Sequence, residues 1–83
     1  MITKIYSIYD SKAEAYSTPF FVPTRGLATR SLMDAVNNPS TDISKYPADY
    51  TLFELGEYDD SSAEFSMNKT PISCGVAIEF KNQ

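Results

Sequence analysis

Histidine is absent from this chain of 83 residues, and cysteine occurs once, at Cys74. The first absence removes the usual general base and every Ser-His or Cys-His nucleophile arrangement. Together the two exclude a zinc site built within one chain, and a lone cysteine excludes an internal disulfide. Glycine is nearly as scarce, with only three residues, and Gly26 stands alone where a phosphate-cradling loop would need a cluster. No apolar run approaches the ~18 residues that span a bilayer. The apolar start Met1-Ile2 is broken by Lys4, and nothing after it reads as a signal peptide, so the cytosol is the expected compartment. The sequon Asn68-Lys69-Thr70 is then read as accidental.

Carboxylates are the remaining route to catalysis. Strand periodicity places Glu54 and Glu57 on opposite faces, and Asp59-Asp60 fall in a polar turn where acids keep ordinary behaviour. The acidic run Glu57-Asp59-Asp60 lacks the spacing of a calcium loop. The expectation is a protein that is not an enzyme and uses no metal or cofactor. Cys74 falls on an apolar strand face and reads as a buried structural thiol.

What is present is aromatic. At 42% hydrophobic and 13% aromatic the chain is too apolar for disorder, and its length fits one domain over residues 1–83. Five of the eleven aromatics (Tyr6, Tyr9, Tyr16, Phe20, Phe21) and four of the seven cations (Lys4, Lys12, Arg25, Arg30) lie between Lys4 and Arg30. Rings interleaved with cations suit a single-stranded nucleic acid, because bases stack while phosphates seek positive charge. A small domain also needs rings to fill its core. A net charge of −4 argues against a wholly basic polyanion binder. The charge is uneven: residues 31–83 hold nine of the eleven carboxylates.

Ile2 to Tyr9 reads as a strand that is central or covered on both sides, with Ile2, Tyr6 and Ile8 sharing one face and Tyr6 with Ile8 marking that face as core. Tyr16 to Val22 reads as an extended piece bracketed by Pro19 and Pro23, suited to an edge. Thr24 is placed to cap a helix whose stripe is Ala28, Leu32, Ala35 and Val36, with Arg30 and Asp34 pairing outside, and Asn37-Asn38-Pro39 ends it. Residues 38–49 read as a polar connection. Tyr50 to Tyr58 predicts a strand with Thr51, Phe53 and Leu55 on one side and Tyr50, Leu52 and Tyr58 on the other. Asp59-Asp60-Ser61-Ser62 turns it into a returning strand with Phe65 and Met67. Ile72, Cys74, Val76, Ile78 and Phe80 alternate as a final half-buried strand, with Gly75 as a bulge. The fold class is α+β: a small, mostly antiparallel sheet of four or five strands with one helix on one face. The other face is left open, and function is expected there.

The segments IYSIYDSKAEAYSTPFF, MDAVNNP, DYTLFELGEYDD and KTPISCGVAIEF occur in this order. From about Lys4 to Lys81 they resemble the small nonstructural protein of gokushovirus-type microviruses, phages with circular single-stranded DNA genomes. The resemblance implies a DNA-binding protein that is absent from the virion and acts in the host bacterial cytoplasm. Its place would be genome replication or the switch to single-strand synthesis and packaging. The resemblance supplies no binding residues, so these rest on chemistry. Tyr9, Tyr16 and Phe21 are the stacking candidates, since Tyr6 belongs to the core, and Lys4, Lys12, Arg25 and Arg30 are the phosphate contacts that would make binding salt-dependent. So few cations per chain would call for a homodimer or higher homo-oligomer. The alternative is an acidic interaction module. Asp42, Asp49, Glu54, Glu57, Asp59, Asp60 and Glu64 would then engage a viral replication or packaging protein without nucleic acid.

Overall fold

The β-formers of the first ten residues build the central strand of the sheet. The computed structural model describes residues 1–82. Strand β1 (Ile2–Asp10) is flanked on one side by β4 (Tyr50–Asp59), which pairs in turn with β5 (Glu64–Val76). On its other side β1 is met by two short strands, β2 (Ala15–Tyr16) and β3 (Phe20–Val22). Every pairing is antiparallel. The expected edge piece is thus split into two. Pro19 has no amide hydrogen for a ladder, and the Ser17 that precedes the break ties itself to β1 instead. Its amide donates to the Ile8 carbonyl at 2.8 Å, and its hydroxyl accepts from the Ile8 amide at 3.0 Å.

Helix α1 (Arg25–Val36) begins where its cap predicts, with Thr24 Oγ1 accepting from the Leu27 amide at 3.2 Å. Ala28, Leu32 and Val36 are buried against Tyr6, Leu52 and Ala77, with Ile8, Phe20, Val22, Cys74 and Phe80 packed around them. The expected Arg30–Asp34 pair is not formed, since no ion pair among the described residues involves either side chain. The connection after α1 carries a one-turn helix α2 (Asp42–Lys45), capped by Thr41, and a 3-10 turn at Pro47–Asp49.

Three irregularities change which side chains share a face. Ile5 pairs with Gly56 and Tyr6 with Glu54, so Leu55 is an extra residue in β4. Directly opposed residues in an antiparallel pair lie on one face. The bulge therefore moves Tyr58, opposite Thr3, onto the side of Phe53 and Thr51, and places Glu57 with Glu54. Both outcomes reverse the strict alternation expected for this strand. On β5, Asn68 to Pro71 stand opposite the single Leu55, and Cys74 is a second extra residue.

The last strand is also shorter than expected. It stops at Val76, and Ala77–Phe80 fold into a 3-10 turn that buries Ala77 in the core. Glu79 Oε2 accepts from the Val76 amide at 2.7 Å to hold that turn. Asn37, at the end of α1, donates to the Phe80 carbonyl at 3.1 Å and accepts from the Asn82 amide at 2.7 Å. These side-chain bonds compete successfully with continuation of the ladder. The result is an α+β fold: a curled antiparallel sheet with one main helix. No described helix is long and apolar enough to cross a membrane.

Candidate functional site

The face of the sheet turned away from α1 carries six aromatic rings in two groups. Tyr9 and Tyr16, opposite one another on β1 and β2, have ring centroids 4.7 Å apart. Phe53 joins them from β4, edge-on, at 6.3 Å from Tyr9 and 5.7 Å from Tyr16. At the other end Phe21 of β3 meets Tyr58 of β4 at 5.8 Å and Phe65 of β5 at 6.3 Å. Tyr58 and Phe65 complete the second triad at 4.8 Å. These separations and tilts fall in the favoured range for aromatic pairs, so each triad is held by its own rings.

The rings stay accessible. Tyr16 is 48% exposed, Phe21 47% and Phe65 60%, high values for side chains of this size. Ile5 and Ser7, at 3% and 1% exposure, make the floor between the triads. The Ser7 hydroxyl is satisfied by donating to the Ser17 carbonyl at 2.7 Å. Met67 extends the surface beside Gly56. A cleft of about 370 Å³ opens over the second triad, lined by Thr3, Phe21, Tyr58, Asp60, Ala63 and Phe65.

The stacking candidates Tyr9, Tyr16 and Phe21 therefore share one face. Their partners Phe53, Tyr58 and Phe65 escaped the sequence reading. For Tyr58 the signal was Gly56: a glycine inside a strand marks a bulge or a close approach, and either would have shifted the alternation. Phe65 was legible through its place across the hairpin from Tyr58.

The expected phosphate contacts are not on this face. Lys4 points to the helix side, where its Nζ lies 3.8 Å from Glu54 Oε1 and 3.6 Å from Glu57 Oε2. Arg25, at the start of α1, places Nη2 3.6 Å from the same Glu54 oxygen. Glu54 is 8% exposed, and Tyr6 Oη donates to it at 3.4 Å. Asn68 reaches back from the β5 bulge to the Glu54 carbonyl at 3.3 Å and to Oε2 at 3.4 Å. The cluster offsets the cost of burying Glu54 by surrounding it with cations and donors. Lys12 stands in the β1–β2 turn beside a separate cleft lined by Asp10, Asp42, Asp49, Tyr46 and Tyr50. Arg30 is exposed on α1.

Burial makes two groups in this region harder to ionise. The Tyr6 phenol is pushed above its ordinary value of 10.0, first by burial and then by the charge of Glu54. The Cys74 thiol is pushed above 9.0 by burial, with Arg25 acting in the opposite direction. Neither shift makes a reactive group at neutral pH. Among the described residues no cluster of three or more His, Cys, Asp or Glu side chains is placed to hold a metal ion.

The acidic residues do not form one surface. Asp10, Asp42 and Asp49 gather at the α2 end. Asp59 and Glu64 face each other next to the hairpin turn, with Glu57 close by. Glu54 and Glu57 are taken up by Lys4 and Arg25.

Fold and site together define a small α+β protein with one covered sheet face and one aromatic, open face. The chain matches the Phage ORF5 protein family over residues 3–80 and belongs to that family. No curated protein and no solved structure matches it.

Proposed function

We propose that this phage protein binds single-stranded DNA through its open sheet face and has no enzymatic activity of its own. The supporting observation is the convergence of six rings, three of them about half exposed, onto a face that no helix covers. Bases stack on such rings whatever their sequence, at ~1–3 kcal/mol for each base engaged. The quoted segments resemble the nonstructural protein of single-stranded DNA microviruses. That likeness supports a role in the cytoplasm of the infected cell, in replication or the switch to single-strand synthesis. Assembly of two or more copies along one strand would raise the affinity of a small surface.

Stacking rather than charge carries the affinity, because Lys4 and Arg25 are engaged with Glu54. The test is fluorescence anisotropy of a labelled oligothymidylate of about thirty nucleotides at low salt. Binding is expected, and Tyr16→Ala and Phe21→Ala are each expected to weaken it while leaving the melting temperature within a few degrees. Absence of binding by folded protein at tens of micromolar would refute the proposal.

A second reading draws on the same geometry. A sheet face with rings but without cations also suits another protein, such as a replication or packaging component. The double acid cluster, at the α2 end and at the hairpin, would then set its orientation. Capture of a protein partner that is lost on Phe21→Ala, with no affinity for oligothymidylate, would favour this reading.

A further inference from the structure

The open face is divided. Tyr16 lies opposite Tyr9, whereas Phe21 lies opposite Ile5, four residues earlier on β1. At ~3.3 Å per strand residue Tyr16 and Phe21 are about 13 Å apart along β1, while Phe53, opposite Ser7, and Tyr58, opposite Thr3, lie at neighbouring levels of the two triads. Each triad runs across the strands, from β2 through β1 to β4 at one end and from β3 through β4 to β5 at the other. On β1 itself the positions between Thr3 and Tyr9 on this face are Ile5 and Ser7, both buried, and Met67 stands over Gly56 beside them.

We infer that the triads are two separate base subsites, and that a bound strand runs along β1 from one to the other. The inference rests on the single-stranded DNA reading and specifies its footprint. Stacked nucleotides advance ~3.4 Å each, so about 13 Å corresponds to roughly four steps, and to fewer in an extended strand. One protomer therefore covers about three to five nucleotides, the low end of what small single-strand binding domains occupy. The intervening bases pass beside Met67 and between the triads without a stacked ring of their own. The Ser7 hydroxyl is committed to the Ser17 carbonyl and is not free to read them.

A length series decides the matter, using oligothymidylates of roughly two to eight nucleotides beside one of about thirty. Two subsites predict a sharp rise in affinity between about two and five nucleotides, followed by a plateau per protomer. They also predict that Tyr16→Ala and Phe65→Ala each weaken the five-nucleotide ligand about 5- to 150-fold, the range of one lost base stack. Neither substitution should change the binding of the shortest ligand by more than about half, because the other triad still accepts it. If the long strand binds but a dinucleotide binds as tightly as a pentanucleotide, a single subsite is present and the inference fails alone. The same conclusion follows if Tyr16→Ala abolishes binding at every length. If no length binds, the DNA reading fails and the two subsites fall with it. Both rings are exposed, and circular dichroism of each variant separates lost binding from lost fold.

Discussion

Gly56 sits where the backbone of β5 leaves no room for a side chain on β4. A Cβ built there would lie 2.5 Å from the Ser66 carbonyl oxygen and 2.8 Å from Met67 Cα, both backbone atoms that cannot swing away. Gly56→Ala must therefore push the two strands apart beneath the second triad. We expect a loss of about 1–3 kcal/mol, the usual cost of overpacking, read as a fall in melting temperature of roughly 4–8 °C per kcal/mol in a domain of this size. An unchanged melting temperature would show that the hairpin adjusts freely. Tyr6 provides a second residue-scale prediction, through pH. Burial and Glu54 hold its folded-state pKa above the unfolded value of about 10. A group raised in this way gives its full stabilisation below the unfolded value and loses it as pH climbs through the folded one. Tyr6→Phe is thus expected to be less stable than the parent at pH 8, where the hydroxyl bonded to Glu54 is lost. The gap should narrow or reverse above pH 10, where the parent alone must bury a phenolate. Parallel melting curves from pH 8 to 11 check this, and a gap that stays constant would contradict it.

At the scale of elements, the sequence is readable wherever one local rule acts without interference. Thr24, the Ala28-Leu32-Val36 stripe and Asn37 bound a helix because cap, periodicity and stop agree. Tyr6 and Ile8 mark the covered side of β1, and that strand keeps its alternation throughout. Strands β4 and β5 do not. Leu55, Cys74 and the Asn68–Pro71 stretch are accommodated by pairing between strands, which no count along one strand reveals. One bulge suffices to move Tyr58 from the covered side to the open side and Glu57 in the reverse direction. The second aromatic triad and the Lys4–Glu57 pair both follow from that displacement. At the tail, Ile72 to Phe80 alternate well enough for a strand. Tertiary bonds from Asn37 and the local bond from Glu79 turn the last four residues into a 3-10 helix instead.

The whole molecule, elongated at 42 × 23 × 18 Å, separates what its sequence interleaves. Tyr9, Tyr16 and Phe21 lie on the open face, while Lys4 and Arg25 pair with Glu54 on the covered one. This separation bears on how binding responds to salt. Each phosphate neutralised on a single strand contributes ~0.7 to the slope of log K against log salt. Were Lys4, Lys12, Arg25 and Arg30 all to contact phosphate, the slope would be about −2.8, roughly a 600-fold loss for each tenfold rise in salt. Under the proposed single-stranded DNA binding, rings supply most of the affinity and one or two peripheral cations per protomer add phosphate contacts. The expected slope is then no steeper than about −1.4, a loss of roughly 25-fold or less per tenfold rise. A titration series across one decade of salt distinguishes the two slopes, and Glu54→Gln supplies the control. Releasing Arg25 and Lys4 from their carboxylate should leave the slope nearly unchanged if those cations face away from the DNA. A steep slope, steeper still in Glu54→Gln, would mean that the covered side meets phosphate and that the aromatic face serves another partner.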